Sequence, residues 1–367
     1  MTTRAARVAL GIALSLVAAC DRSAPARIDA AAPGAIGAVG APVATAVDPR
    51  RAALRGELVY GVEAASGNQI WSIAAQGGAP RRRSPEGAAY FPTDAAAADG
   101  AIVAIAVDGD GDDHAEQLAI IARDGAVTRV GPRAQLVRNP SALGGDGGWI
   151  VETSAASFRD LYRVARDGTS ARLTDTPLGD FQPAVSPDGG EVAFSSSRDG
   201  DAEIYAMAVG GGGLRRLTAF HRDDWGPRWA PDGQALAFLS DREGAPRVFV
   251  VARDGTGLVR VTPTGEDGVG GEDDAPVWSP DGKRIAYVVR RRGEEEVWVA
   301  ARNAGGARRV SPVGAVAQAP AWSPDGNAIA YVSGAERRVI AVVNGEGGEP
   351  VEIVRGDRPM WALRWRD

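Results

Sequence analysis

The chain is poor in the residues that build catalytic and metal centres, with one cysteine and two histidines among 367 residues. A single cysteine excludes any disulfide bond within the chain. His114 and His221 lie far apart in the sequence, which disfavours a histidine-rich metal site. No Gly-x-Ser-x-Gly elbow, phosphate-binding loop or dinucleotide-binding glycine pattern occurs. The sequence therefore predicts a protein without catalytic activity, cofactor or metal.

The chain also has little long apolar sequence, and its amino terminus holds the informative run. Val8–Ala19 is an apolar stretch of 12 residues that follows two arginines, and it is too short to span a bilayer. It ends in Val17-Ala-Ala-Cys20, which resembles the signal of bacterial lipoproteins. We therefore predict a signal peptide over residues 1–19 and lipid attachment at Cys20. An ordinary secretory signal with an incidental cysteine is the alternative.

Residues 20–56 are rich in alanine, proline and glycine and show no sustained period, which predicts a flexible tether after the lipidated cysteine. Residues 57–367 are long enough for one large all-β domain. The net charge is −6, and the arginines are spread over many segments. An acidic chain of this kind is a poor nucleic-acid binder, so none is predicted as a partner.

One short phrase recurs and organises the chain. Its aspartates are 44, 49 and 44 residues apart, and a period of about 40–50 residues is typical of propellers. The four copies are Val185-Ser-Pro-Asp-Gly189, Trp229-Ala-Pro-Asp-Gly233, Trp278-Ser-Pro-Asp-Gly282 and Trp322-Ser-Pro-Asp-Gly326. Proline and glycine favour a tight turn here, and short β-branched or aromatic runs flank it. Each unit therefore predicts a four-stranded blade.

Two weaker copies precede these four, over residues 90–130 and 139–174. Residues 57–84 supply three further strands, and Leu363–Arg366 matches the first strand of a blade. Pairing the C-terminal strand with the N-terminal strands would complete a split blade and close the ring, which removes two exposed sheet edges. The sequence thus predicts a β-propeller of seven blades; six blades would require one weak copy to be discarded.

The loops divide into two sets that predict where a partner binds. The Pro-Asp-Gly turns are stereotyped, whereas the connectors between blades and the turns between second and third strands vary, and function usually resides on variable loops. Asp180, Asp224 and Asp273 each precede a blade's first proline by three residues. Two interpretations stay open. The carboxylates brace the backbone, or, with Trp225 and Asp274, they form an exposed acidic site for a basic partner or cation.

The segment Asp108–Glu116 carries alternating carboxylates that would suit calcium. It departs from the EF-hand loop, with Asp113 where glycine is required and Ala119 at the final glutamate position. Because it falls between predicted second and third strands, a structural hairpin is favoured over a cation site.

The Trp-Ser-Pro-Asp-Gly phrase, the hairpin Ser197–Tyr205 and the ending Arg215-Arg-Leu-Thr218 together resemble the TolB-type β-propeller repeat family. The resemblance covers residues 57–366 and implies a periplasmic, non-enzymatic scaffold. The sequence shows no separate amino-terminal domain of the TolB kind.

The lipoprotein-like signal predicts a lipid anchor, which departs from TolB. Together with the resemblance it predicts a periplasm-facing monomer whose partners are envelope proteins or peptidoglycan-associated components. Which bacterial membrane holds it stays open. The alternative is a propeller enzyme, such as a polysaccharide lyase or lactonase with an axial metal.

Overall fold

The structure is a computed structural model that describes residues 42–44, 48–64, 67–97, 99–109, 113–145, 147–155, 158–263, 268–269, 275–291 and 293–367. The predicted signal peptide and Cys20 lie outside these residues. Within them, no helix has the length and apolar character needed to cross a membrane.

Seven antiparallel sheets form the blades of a ring, and in blades 1–6 the four strands of the blade neighbour one another in chain order. This confirms the prediction of an all-β propeller with seven blades. The first strands of blades 1–4 and 6 are Ala89–Ala96, Val137–Ala142, Asp180–Val185, Asp224–Trp229 and Ala317–Trp322. In blade 5 this position is shared by Gly268–Val269 and Val277–Trp278, which both pair with the second strand.

The remaining strands of blades 1–6 follow the same order. The second strands are Ile102–Asp108, Trp149–Thr153, Glu191–Ser196, Ala235–Ser240, Arg284–Arg291 and Ala328–Ser333. The third strands are Ala115–Ile121, Asp160–Val164, Glu203–Ala208, Arg247–Ala252, Glu294–Ala301 and Val339–Asn344. The fourth strands are Val127–Ala134, Ser170–Arg172, Arg215–Arg216, Val259–Arg260, Arg308–Arg309 and Val351–Arg355.

Because the strands of a blade are antiparallel, its loops fall on two faces of the ring. We call the face with the inter-blade connectors and the second-to-third turns the connector face. We call the face with the first-to-second and third-to-fourth turns the motif face, since the repeated phrase lies there. These names are used throughout.

Blade 7 is split between the two ends of the chain, as predicted. Met360–Arg366 is its first strand and pairs with Glu57–Val62, which is followed by Gln69–Ala74 and Arg81–Arg82. Arg366 faces Glu57 in the register, and their side chains form an ion pair at 2.6 Å. Leu363 in the closing strand is fully buried. The carboxyl terminus therefore closes the ring.

The end of the predicted tether is in part structured. Val43–Ala44 pairs with the fourth strand of blade 6 as a fifth strand, and Pro49–Ala53 forms a 3-10 helix. Asp48 caps this helix, proline fits its first turn, and the buried Arg51 donates to the Glu352 carbonyl of blade 6. Flexibility up to residue 56 was therefore wrong for residues 43–44 and 48–55.

The tryptophan of the repeated phrase joins neighbouring blades. The indole Nε1 of Trp229 donates to the Ala184 carbonyl of blade 3 at 3.0 Å, and that of Trp278 donates to the Arg228 carbonyl of blade 4 at 3.0 Å. Trp322 repeats the contact with Val277 at 3.1 Å. All three rings are buried. Their recurrence in the sequence thus has a packing cause.

The aspartate of the phrase has two structural tasks. Within its turn, Asp188 accepts from the Gly190 amide at 3.0 Å, while Gly189 adopts a φ of 70°. Across the blade boundary, its carboxylate pairs with Arg253 of blade 4 at 2.9 Å. Asp232 and Arg302 repeat this pair at 2.5 Å. The motif residues are thereby engaged in holding the ring together.

The buried phenol of Tyr287 provides a test of how the second strands pack. Tyr287 is fully buried, burial raises its pKa, and its hydroxyl has no hydrogen-bond partner among the described residues. Blades 3 and 4 have Phe194 and Phe238 at this register position. We expect Tyr287→Phe to leave the unfolding free energy unchanged or raise it by about 1 kcal/mol, as measured by denaturant titration.

A matched control is Tyr205→Phe. Its hydroxyl donates to Asp199, so removing it should lower the unfolding free energy by about 1 kcal/mol. If Tyr287→Phe destabilised the protein as much as Tyr205→Phe does, the Tyr287 hydroxyl would have to form a hydrogen bond in the folded protein, contrary to the structure.

Candidate functional site: the connector face

Asp180 and Asp224 occupy the same place in blades 3 and 4, at the start of the first strand on the connector face. Both are fully buried, which contradicts the prediction that they are exposed. Asp180 accepts from Arg198 Nη2 at 2.9 Å, and Asp224 accepts from Arg242 Nη2 at 2.7 Å. Neither carboxylate is open to a partner. Their contacts are with side chains rather than with the backbone amides that the bracing interpretation named.

The two arginines come from the second-to-third turns and are held in the same way. The Nε of Arg198 donates to the Ser196 hydroxyl and that of Arg242 to the Ser240 hydroxyl, both at 2.8 Å. The guanidinium of Arg242 also lies 4.8 Å from the centre of the Phe249 ring. Each buried aspartate thus holds the second-to-third turn of its own blade in place.

Burial has the largest effect on the pKa of Asp224. It raises the pKa of Asp224 to about 6, although the hydrogen bonds from Ser240 and Arg242 favour the charged form. Burial likewise raises the pKa of Asp160, a blade 2 residue that pairs with Arg172 at 2.7 Å. Buried ion pairs are therefore a recurring structural device on this face.

The other three predicted site residues are Trp225, Asp273 and Asp274, and the structure describes only the first of them. Trp225 is half-buried and packs against the apolar cluster between blades 4 and 5. Asp273 and Asp274 lie outside the described residues. At the register position of Asp224, blade 5 has Val269, which pairs with Val289. Since Asp180 and Asp224 are fully buried, these two residues are not part of an exposed acidic cluster.

The segment Asp108–Glu116 joins two paired strands, with Asp108 opposite Ala115. Asp108 forms an ion pair with Arg129, and Glu116 is buried and bonded to the Val137 amide at 2.7 Å. These contacts agree with the hairpin interpretation. Residues 110–112, which include two of the acidic positions, lie outside the described residues.

The two histidines are in separate environments. His114 Nε2 lies 3.0 Å from Glu116 in blade 1, and His221 stacks on Phe220 in the connector before blade 4. In the part of the chain that the structure describes, no three histidine, cysteine, aspartate or glutamate residues are grouped so that they could hold a metal ion.

Sequence reasoning missed the exposed apolar side chains of the connector face. Phe158 is 50% exposed in the second-to-third turn of blade 2, and Leu178 is 43% exposed in the connector to blade 3. The two loops adjoin, because the Asp180 amide donates to the Arg159 carbonyl at 2.8 Å. Val313, in the connector to blade 6, is 77% exposed. The sequence signal that could have revealed these side chains is the presence of apolar residues in the variable loops.

Residues 167–348 match the family profile described as the TolB beta propeller domain. This part of the propeller therefore carries the TolB-type repeat. A curated relative, the TolB homolog of Chlorobium luteolum, is 36% identical over 77 residues, which make up 19% of this chain and 18% of that relative. The match thus spans less than a fifth of the relative's length.

Two solved structures show how widely the TolB-type fold is shared. TolB from Acinetobacter baumannii superposes with a TM-score of 0.52 at 19% identity, covering 84% of this chain and 66% of its own. A structure from a study of two prolyl endopeptidases superposes with a TM-score of 0.63 at 16% identity, covering 88% and 50%. At these identities the likeness shows the fold alone, and the fold does not decide the activity.

Proposed function

We propose that this TolB-type propeller is a non-enzymatic scaffold of the bacterial envelope that binds a protein or cell-wall component through its connector face. The observation that carries the proposal is the exposed apolar pair Phe158 and Leu178 on adjoining loops of that face. Exposed apolar side chains on rigidly held loops are typical of interaction surfaces.

The placement of the charged residues supports this choice over catalysis. The acids at the start of the first strands of blades 3 and 4 are committed to arginines, and the described residues offer no three-ligand metal group. In our proposal Asp180 and Asp224 act indirectly, by fixing the turns that carry Arg198 and Arg242. The half-buried Trp225 adds apolar surface. Asp273 and Asp274 would add charge at the same face.

The connector-face proposal is tested by capture from detergent-solubilised envelope. Phe158→Ser with Leu178→Ser should reduce capture of the partner at least tenfold, because truncating a central anchor residue of an interface costs about 2 kcal/mol or more. Leu214→Ser is the matched control, since Leu214 is 47% exposed but lies on the motif face. Equal losses in both variants, or none in either, would contradict the assignment of the face.

We also propose that Cys20 carries the membrane anchor. One acyl chain binds membranes only marginally, at about 0.8 kcal/mol per buried methylene, so the several chains of a lipoprotein should hold the protein firmly. We expect Cys20→Ser to move the protein from the membrane fraction to the soluble fraction while its thermal unfolding is unchanged. A variant that still sedimented with membranes would rule out lipid anchoring at this residue.

A further inference from the structure

The motif face has a groove between blades 4 and 5 with a volume of about 690 Å³. Small apolar residues line its interior, among them Ala235, Val250 and Val259. Two acids and two bases also line it, namely Asp232, Asp281, Lys283 and Arg302. We call this the 4–5 groove. It lies on the face opposite to the one in our proposed function and does not depend on that proposal.

The equivalent space between blades 3 and 4 is occupied by side chains of the protein itself. Arg215, at the start of the fourth strand, donates to Glu191 at 2.6 Å and to the Arg253 carbonyl at 2.7 Å. Arg253 donates to the same glutamate at 2.8 Å. An internal arginine therefore bridges these two blades.

The boundary between blades 5 and 6 repeats this solution. Arg308, again at the start of a fourth strand, donates to the Gly345 carbonyl at 3.0 Å and to Glu346 at 2.5 Å. Arg284 donates to Glu346 at 3.1 Å. In both boundaries an arginine guanidinium reaches the same backbone carbonyl of the third-to-fourth turn in the following blade.

The 4–5 groove differs at both decisive positions. In the fourth strand, the register places Val259 at the position of Arg215 in blade 3 and Arg308 in blade 5. In the second strand, it places Ala235 at the position of Glu191 in blade 3 and Arg284 in blade 5. The carbonyl equivalent to those of Arg253 and Gly345 is that of Arg302. The groove is thus open because the internal arginine is replaced by a shorter apolar residue.

One of the two acids in the groove, Asp281, offers a carboxylate to a cationic occupant. The Asp232 carboxylate is engaged by Arg302 at 2.5 Å. Asp281 has the same place in its turn as Asp232 has. The blade 6 residue that corresponds to Arg253 and Arg302 is Gly345, which has no side chain to pair with Asp281. Asp281 is exposed and is bonded locally, to the Ser279 hydroxyl at 2.6 Å and the Lys283 amide at 3.1 Å.

We propose that the 4–5 groove binds an arginine side chain of a partner protein. The alkyl part of the arginine packs on Val259 and Ala235, and its guanidinium donates to the Arg302 carbonyl and the Asp281 carboxylate. The partner thereby supplies the group that Arg215 and Arg308 supply internally. Guanidinium groups suit such a site because they present several donors in a fixed plane.

The test is calorimetric titration of the full-length protein in detergent with the peptide acetyl-Gly-Arg-Gly-amide. Its counterpart with citrulline has nearly the same shape but no charge. We expect the arginine peptide to bind at least tenfold more tightly than the citrulline peptide. Val259→Arg, which restores the internal arginine, should weaken binding at least tenfold, and Leu214→Arg on blade 3 should leave it unchanged.

Asp281→Asn provides a second variant at an exposed position, which keeps the test valid if Val259→Arg fails to fold. It should also weaken binding of the arginine peptide and reduce the preference over citrulline. Equal binding of the two peptides, undiminished binding to both Val259→Arg and Asp281→Asn, or no binding at millimolar peptide would overturn the proposal.

Discussion

Removal of Trp361–Asp367 should abolish the single cooperative unfolding transition of the propeller. The deletion takes away most of the first strand of blade 7, including the fully buried Leu363 and the ion pair between Arg366 and Glu57. Loss of one buried leucine side chain alone costs about 2–5 kcal/mol. The exposed edge of Glu57–Val62 would in addition favour aggregation.

Denaturant unfolding and light scattering of the truncated protein measure both effects. Deleting Asp367 alone is the matched control, because this residue is exposed and lies outside the closing strand. A truncated protein that stayed monomeric and unfolded at the parent's midpoint would show that ring closure does not depend on the carboxyl terminus.

Asp224→Ala should lower the unfolding free energy by about 3–5 kcal/mol, because it leaves the largely buried Arg242 without its carboxylate. Asp175 serves as a surface comparison: its carboxylate is 81% exposed and pairs with Arg172 at 2.6 Å. Asp175→Ala should change the unfolding free energy by less than about 1 kcal/mol.

The double variant Asp224→Ala, Arg242→Leu separates the pair from the site that it occupies. Replacing a buried ion pair with apolar residues is often nearly neutral, so the double variant should recover more than half of the stability lost in Asp224→Ala. If both variants were equally unstable, the loss would come from the surrounding packing rather than from an unpaired charge.

The fold was predictable because the repeated residues mark the positions of the turns in the sequence. Proline and glycine in fixed places define where strands end, and the weaker copies and the split blade follow from counting the period. The blade 7 pairing of Met360–Arg366 with Glu57–Val62 confirms that reasoning. The repeated Trp278 and Asp232 serve contacts between blades, so the most visible motif of the sequence carries structure at these positions.

The candidate site was less predictable, since burial depends on residues distant in the sequence. Asp180 and Asp224 lie at the ends of variable connectors and resemble surface acids, yet each is buried and paired with an arginine 18 residues further on. The 4–5 groove shows the same limit. Val259 is unremarkable in its strand, and its importance emerges only when the register sets it beside Arg215 and Arg308.

The structured end of the tether was missed for a related reason. The composition around residues 43–55 is that of a linker, but two residues add a strand to the outer edge of blade 6, and the buried Arg51 donates to a backbone carbonyl of that blade. Contacts between segments some 300 residues apart leave no local pattern.

Site-specific photocrosslinking in cells tests the central claim most directly. A photoreactive residue at Leu178, on the connector face, should form a discrete adduct with an envelope protein or a peptidoglycan component. The same residue at Thr169, which is exposed on the motif face of the neighbouring blade, should not. An adduct at Thr169 with none at Leu178 would contradict the assignment of partner binding to the connector face.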